Sequence, residues 1–234
     1  MTRIGTVLLA WMLPAVVMAQ PAPPQPRHRD GGMLCFYGMG GAPTGYFGQV
    51  VGGSWGLGLA GVWQPRRRSL GLRLEGSYTE YGSVSREVPI AGAGGRVMGD
   101  LTTTNEISNF AIGPQLTIGH GALRPYLVAA FGSSYFATRT LLKEDHDCPD
   151  EDCVIASDTN YSDWTFAWSA GGGILLSIGR RAFVDVGVRY VGNGTVNWLA
   201  EGDLVDDGDG PARPLPRRSE ANVVQVTAGF VFAF

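Results

Sequence analysis

The sequence predicts an all-β protein: a closed, antiparallel, up-and-down barrel of eight strands lying in a membrane. Three observations carry that expectation. Eight segments alternate bulky apolar residues with small or polar ones, the period of an extended chain with two unlike faces. Beyond residue 30 no stretch reaches the roughly 18 consecutive apolar residues of a spanning helix, and no helical period of useful length interrupts the strands. Short turns at 65–69, 120–123 and 179–180 alternate with longer connections, the arrangement of outer-membrane barrels, in which closure leaves no strand edge unpaired.

Composition fits one domain. A chain of 234 residues builds one sizeable core but not comfortably two. Its 35 glycines follow no collagen-like period, so they serve turns and close packing. Charged residues are only 17%, and Lys143 is the one lysine, unlike a surface that faces water throughout. A net charge of -3 argues against a nucleic-acid partner.

Residues 1–19 read as a secretory signal peptide: Arg3, then an apolar run, then Val17-Met18-Ala19 before the cleavage point. Residues 20–30, QPAPPQPRHRD, are Pro-rich and basic, an extended periplasmic tail. The barrel is expected over 31–234.

Its first strand falls at 33–41, with no clear parity, followed by a Gly-rich bend at 42–53. The second, from Ser54, sets Trp55, Leu57, Leu59 and Trp63 against Gly56, Gly58, Ala60 and Val62. The third, 70–81, sets Leu70, Leu72, Leu74 and Tyr78 against Arg73, Glu75, Ser77 and Thr79. After a long loop at 83–104 the fourth, 105–119, opposes Phe110, Ile112, Leu116 and Ile118 to Asn109, Gly113, Gln115 and Thr117. The fifth, 124–138, is apolar on both parities. An acidic loop at 140–160 leads to the sixth, 163–178, where Trp164, Phe166, Trp168, Ile174 and Leu176 share a face. The seventh, 181–192, opposes Val184, Val186 and Val188 to Asp185, Gly187 and Arg189. A loop of Asp, Gly, Pro and Arg precedes the last strand, whose Val224, Val226, Phe230, Phe232 and Phe234 share a face.

Alternation alone also describes a soluble barrel carrying its apolar set inside, so three further features choose the lipid-facing side. The opposite parity is mostly Gly, Ala, Ser and Thr, which suits a cramped lumen. Arg73, Glu75, Asp185 and Arg189 on that parity can pair across the lumen, whereas each arginine on the lipid face would cost about 2 to 4 kcal/mol near the midplane. Trp55, Trp63, Tyr78, Trp164, Tyr190 and Phe234 gather toward strand ends, as interfacial girdles require.

The signal sequence, the eight alternating strands, Arg124-Pro125-Tyr126 and the terminal Gly229-Phe230-Val231-Phe232-Ala233-Phe234 resemble the OmpA/OmpX-type outer-membrane β-barrel family. The resemblance implies outer-membrane lipid as the environment. It also implies that Phe230, Phe232 and Phe234 are an assembly signal read by the barrel assembly machinery. Because the sequence stops at the last strand, it implies a barrel without the peptidoglycan-binding domain.

Other chemistry is sparse. Cys148 and Cys153, in a long loop of an exported chain, are expected to form a local disulfide. A metal site of His146, Cys148 and Cys153 is the alternative, disfavoured because thiolates in that compartment oxidise first. Cys35 reads as a small apolar filler. Asp203, Asp206, Asp207 and Asp209 lack the spacing of a calcium-binding EF-hand loop and read as a solvated segment, with calcium binding left open. None of His28, His120 and His146 falls on a lipid-facing strand beside a Ser, so no enzyme, metal or cofactor is expected. An eight-stranded barrel is just wide enough for side chains to fill. The expected protein is therefore structural or presents loops 83–104, 140–160 and 194–218 for adhesion, shielding or ligand binding. The alternatives are a soluble periplasmic carrier of a small hydrophobic ligand and a narrow pore. Exchanging the charges of Arg73 and Glu75 together is expected to be milder than losing either.

Overall fold

The computed structural model describes residues 31–65, 69–89, 98–119, 121–143, 154–205 and 213–234. Eight long strands form the barrel: β1 (Gly31–Pro43), β2 (Ser54–Gln64), β3 (Leu70–Pro89), β4 (Met98–Thr117), β5 (Leu123–Lys143), β6 (Val154–Ser177), β7 (Ala182–Asn193) and, after four short strands, β12 (Val223–Ala233). Each pairs antiparallel with its chain neighbour, and β12 closes the ring on β1, with Phe36 opposite Phe230. Every barrel strand therefore has a partner on both sides, which is what removes the edges.

The short β4–β5 and β6–β7 connections, the start of β1 and the end of β12 lie at one end, here the turn end. At the first of these turns Gly119 takes a left-handed φ of +82° while Ile118 N–H bonds back to Pro125 O at 2.8 Å. A side chain with a Cβ would be strained at that φ.

The remaining elements cluster at the opposite, loop end. Between β1 and β2 runs the short helix α1 (Gly45–Val50), where the sequence read only a bend. Between β7 and β12 lie β8 (Thr195–Trp198), β9 (Leu204–Val205), β10 (Arg213–Pro214) and β11 (Arg217–Glu220), which form two small hairpins: β8 with β11, β9 with β10.

Two expected loops are corrected. Most of 83–104 and of 140–160 is strand: β3 and β4 stay paired out to Pro89 and Met98, and β5 and β6 out to Lys143 and Val154. In these extensions both faces carry Thr and Ser, so apolar alternation is lost while β-propensity is kept. Cross-strand hydroxyl contacts support them, Ser85 to Thr102 at 2.8 Å and Thr103 to Thr140 at 2.9 Å. Strands β3 to β6 thus continue beyond the ring as a four-stranded sheet. A bulge between Glu80 and Gly82 marks where β3 leaves the barrel register.

The signal peptide, the Pro-rich tail, His120, and residues 144–153 with His146, Cys148 and Cys153 lie outside the described residues. No described helix is long and apolar enough to cross a membrane.

Candidate functional site

The outer face is apolar and uncovered. Leu57, Leu59, Leu72, Leu74, Phe110, Phe131, Phe166, Val186 and Val188 are all exposed, and the register sets them side by side around the ring, Leu59 beside Phe36 and Phe131 beside Trp168. A water-soluble carrier would turn these side chains inward; a belt of this extent is the surface of a barrel solvated by lipid. Trp55, Tyr78 and Trp164 border it toward the loop end and Trp63 and Phe234 toward the turn end, the last 72% exposed. Tyr135 and Trp164 pack with centroids 4.7 Å apart and their planes tilted by 40°. Phe230 and Phe232 also face outward in the belt.

The first and fifth strands, unassigned from sequence, resolve here. On β1, Leu34 and Phe36 point out while Met33, Cys35, Tyr37 and Met39 point in. On β5, Leu127 and Phe131 point out and Tyr126 and Ala130 in. At the turn end Met33, Cys35, Val62, Leu175, Phe183 and Val231 pack into an apolar floor. Cys35 is a free, buried thiol within it.

Above the floor sits a charged centre. Arg73 Nε donates to Glu75 Oε2 at 2.7 Å along β3, and Arg189 Nη1 reaches Glu75 Oε1 at 2.9 Å from β7. Each guanidinium also has an amide partner: Arg73 Nη1 donates to Gln115 Oε1 at 3.1 Å, and Arg189 Nε to Gln225 Oε1 at 2.8 Å. The Tyr37 ring lies against both, its centroid 5.8 Å from the Arg73 guanidinium carbon and 5.3 Å from that of Arg189. Asp185, the fourth charge named from sequence, is buried but differently placed: its carboxylate accepts the Tyr126 hydroxyl at 3.0 and 3.2 Å. Arg73 and Arg189 thus stand with Glu75 and Asp185 in this layer, and the low-dielectric surroundings make their charge balance matter.

Alternation did not reveal Tyr37, Gln115, Tyr126 or Gln225 as partners. The available signal was glycine: a Cβ on Gly58 would lie 2.3 Å from the Tyr37 ring, and one on Gly173 2.7 Å from the Tyr126 hydroxyl. Large lumenal rings stand where the facing strand has no side chain.

Toward the loop end the lumen turns polar, then apolar again. Ser134 lies within hydrogen-bonding distance of the side chains of Asn109 and Asn193, and Asn193 Nδ2 donates to Ala221 O at 2.6 Å. Over them Phe47 of α1, Tyr81, Ile107, Phe136, Val196 and Trp198 make a cap. Trp198 is fully buried and meets Phe47 edge-on at 4.8 Å. A lone Trp in a polar loop was the sequence trace of this anchor.

Asp203 is latched rather than free. It accepts Arg217 Nε at 2.6 Å, Arg217 Nη2 at 2.8 Å and the Ala200 N–H at 2.9 Å. Burial raises the Asp203 carboxyl, but these hydrogen bonds outweigh it and hold the group below the ordinary carboxylate range. The same contact, with one to Tyr46 of α1, pushes the Arg217 guanidinium further up. Asp206, Asp207 and Asp209 lie outside the described residues, and no metal-holding group of His, Cys, Asp and Glu occurs among the described ones.

No family model matches the chain, and neither does any curated protein. Among solved structures the chain is similar to Neisserial surface protein A, at 10% identity and a TM-score of 0.46, covering 88% of this chain and 100% of that one. It is also similar to a major outer membrane protein of Thermus thermophilus, at 9% identity and 0.45, with 88% and 100% covered. A third is Ail, the attachment invasion locus protein of Yersinia pestis, at 11% identity and 0.40, again with 88% and 100% covered. At such scores the fold rests on the strand pairing itself: this chain is a closed eight-stranded antiparallel barrel with an apolar exterior and charged groups in its interior.

Proposed function

We propose that the protein is a small outer-membrane barrel of the Gram-negative type that is structural and presents its loop-end surface outside the cell. On this reading it conducts nothing and catalyses nothing. The observation that carries the reading is the succession inside the ring. An apolar floor, a neutralised ionic centre, a polar layer and an apolar cap follow one another along the described lumen, with a cavity of about 20 Å³ between centre and cap. A general pore needs a hydrated channel. The four-stranded sheet beyond the belt, with Thr and Ser on both faces, supplies the surface for adhesion, shielding or ligand binding. The terminal strand, with Phe230, Phe232 and Phe234, would dock the barrel assembly machinery during insertion.

The test is a denaturing gel of membrane fractions with and without boiling, followed by planar-bilayer recording of the unboiled form. The proposal expects a mobility shift confined to the outer-membrane fraction and no discrete conductance. A soluble periplasmic protein without a shift would replace it with the carrier, and unitary current steps would replace it with the narrow pore.

A further inference from the structure

Between the charged centre and the cap the lumen contains a cavity of about 20 Å³, lined by Glu75, Ser77, Asn109, Ser169, Arg189 and Gln225 among others. It exists because the wall there is made of small residues. Ala111 and Ala167 leave the backbones of β4 and β6 at the cavity edge, and on β5 a Cβ at Gly132 would collide with Phe110 O at 1.9 Å. The side chains around it leave this space open, unlike the space around Tyr37.

Ser169 decides what the cavity is for. The residue is 6% exposed, and its hydroxyl meets no hydrogen-bond partner in the protein. Buried hydroxyls in folded proteins are paired almost without exception, because an unpaired one forfeits its hydration with no return. The cavity offers the remaining route. About 10 to 15 Å³ admits one water, and a buried water needs two to four polar contacts. The lining supplies a carboxylate, a guanidinium, an amide and hydroxyls.

We propose that this cavity is a specific water site, in which one ordered water joins the Ser169 hydroxyl to the Glu75, Arg189 and Gln225 side chains. The water completes the polar layer and ties β6, otherwise absent from the ionic centre, to β3, β7 and β12. Organic solutes are excluded by size. The cap residues Phe47, Tyr81, Phe136 and Trp198 cluster at the loop end of the lumen.

The site predicts the sign of one substitution. If water holds the hydroxyl, Ser169→Ala removes one of its contacts and lowers the urea midpoint of the barrel refolded in lipid vesicles. If the hydroxyl is an orphan, the same change removes a buried unpaired group and raises the midpoint. The second measurement is magnetisation transfer from water to the Gln225 side-chain amide in detergent micelles. A lowered midpoint together with a water signal at Gln225 is the expected result. A raised or unchanged midpoint, or no water signal there, overturns the proposal.

Discussion

Replacing Glu75 by Gln should be among the most damaging conservative changes in this chain. The carboxylate accepts Arg73 Nε at 2.7 Å and Arg189 Nη1 at 2.9 Å, and all three side chains are less than a tenth exposed. The amide keeps the shape but leaves two buried guanidinium groups with neutral close partners, Gln115, Gln225 and Tyr37. Removing one member of a buried pair costs about 3 to 5 kcal/mol, because the remaining charge is stranded away from water. At about 1.4 kcal/mol per factor of ten, the folding equilibrium should fall by two to four decades. The geometry also reverses the expectation for exchanging Arg73 and Glu75. Arg at position 75 would face Arg189, so Arg73→Glu with Glu75→Arg should be no milder than Glu75→Gln. The neutral quadruple variant Arg73→Met, Glu75→Leu, Asp185→Asn, Arg189→Met should recover most of the loss. Equilibrium urea unfolding in lipid vesicles, read by tryptophan emission and by the boiling-dependent gel shift, measures all three. A Glu75→Gln barrel within about 0.5 kcal/mol of wild type, the scale of an ordinary surface change, would refute a buried ionic centre.

Two further outcomes follow from the loop end and the last strand. The Asp203 carboxyl is held below its unfolded value, so the latch contributes fully above the unfolded carboxylate pKa of about 3.9 and is lost as pH falls through the lower folded value. Hydrogen exchange at the Ala200 amide, which donates to Asp203, should accordingly accelerate below about pH 4, and in Asp203→Asn that acid step should be absent. Phe234→Ser leaves the ring pairing intact, so the purified chain should still refold in detergent with its gel shift, while cells should carry less of it in the outer membrane. Unchanged cellular levels would remove the terminal Phe from the assembly signal.

Legibility of this fold in sequence tracks the solvent on each side of the wall. Strands β2, β3, β4, β6, β7 and β12 were readable because lipid demands Leu, Val and Phe on one parity while the narrow interior admits Gly, Ala and Ser on the other. β1 was not, because the apolar floor puts Met33, Cys35 and Met39 inside as well, and both parities become greasy. The outer halves of β3 to β6 failed for the opposite reason: Thr and Ser stand on both faces there and erase the alternation that pairing does not need. Charges on the small-residue parity had to be interior, which is why Arg73, Glu75, Asp185 and Arg189 could be named. Which of them touch depends on the stagger of strands around the ring, and that stagger has no local trace.

The glycines carry the part of the interior that alternation cannot. An eight-stranded ring has too little room for a bulky side chain from every strand at one level. Tyr37 can enter only where β2 offers Gly58, and Tyr126 only where β6 and β7 offer Gly173 and Gly187, whose added Cβ atoms would lie 2.7 and 2.9 Å from its hydroxyl. Those two rings in turn position the charges, Tyr37 against both guanidinium groups and Tyr126 on Asp185. The glycine-rich inner parity is thus the complement of the ionic centre: the absence of side chains on one arc of the wall lets aromatic and charged ones converge from the other.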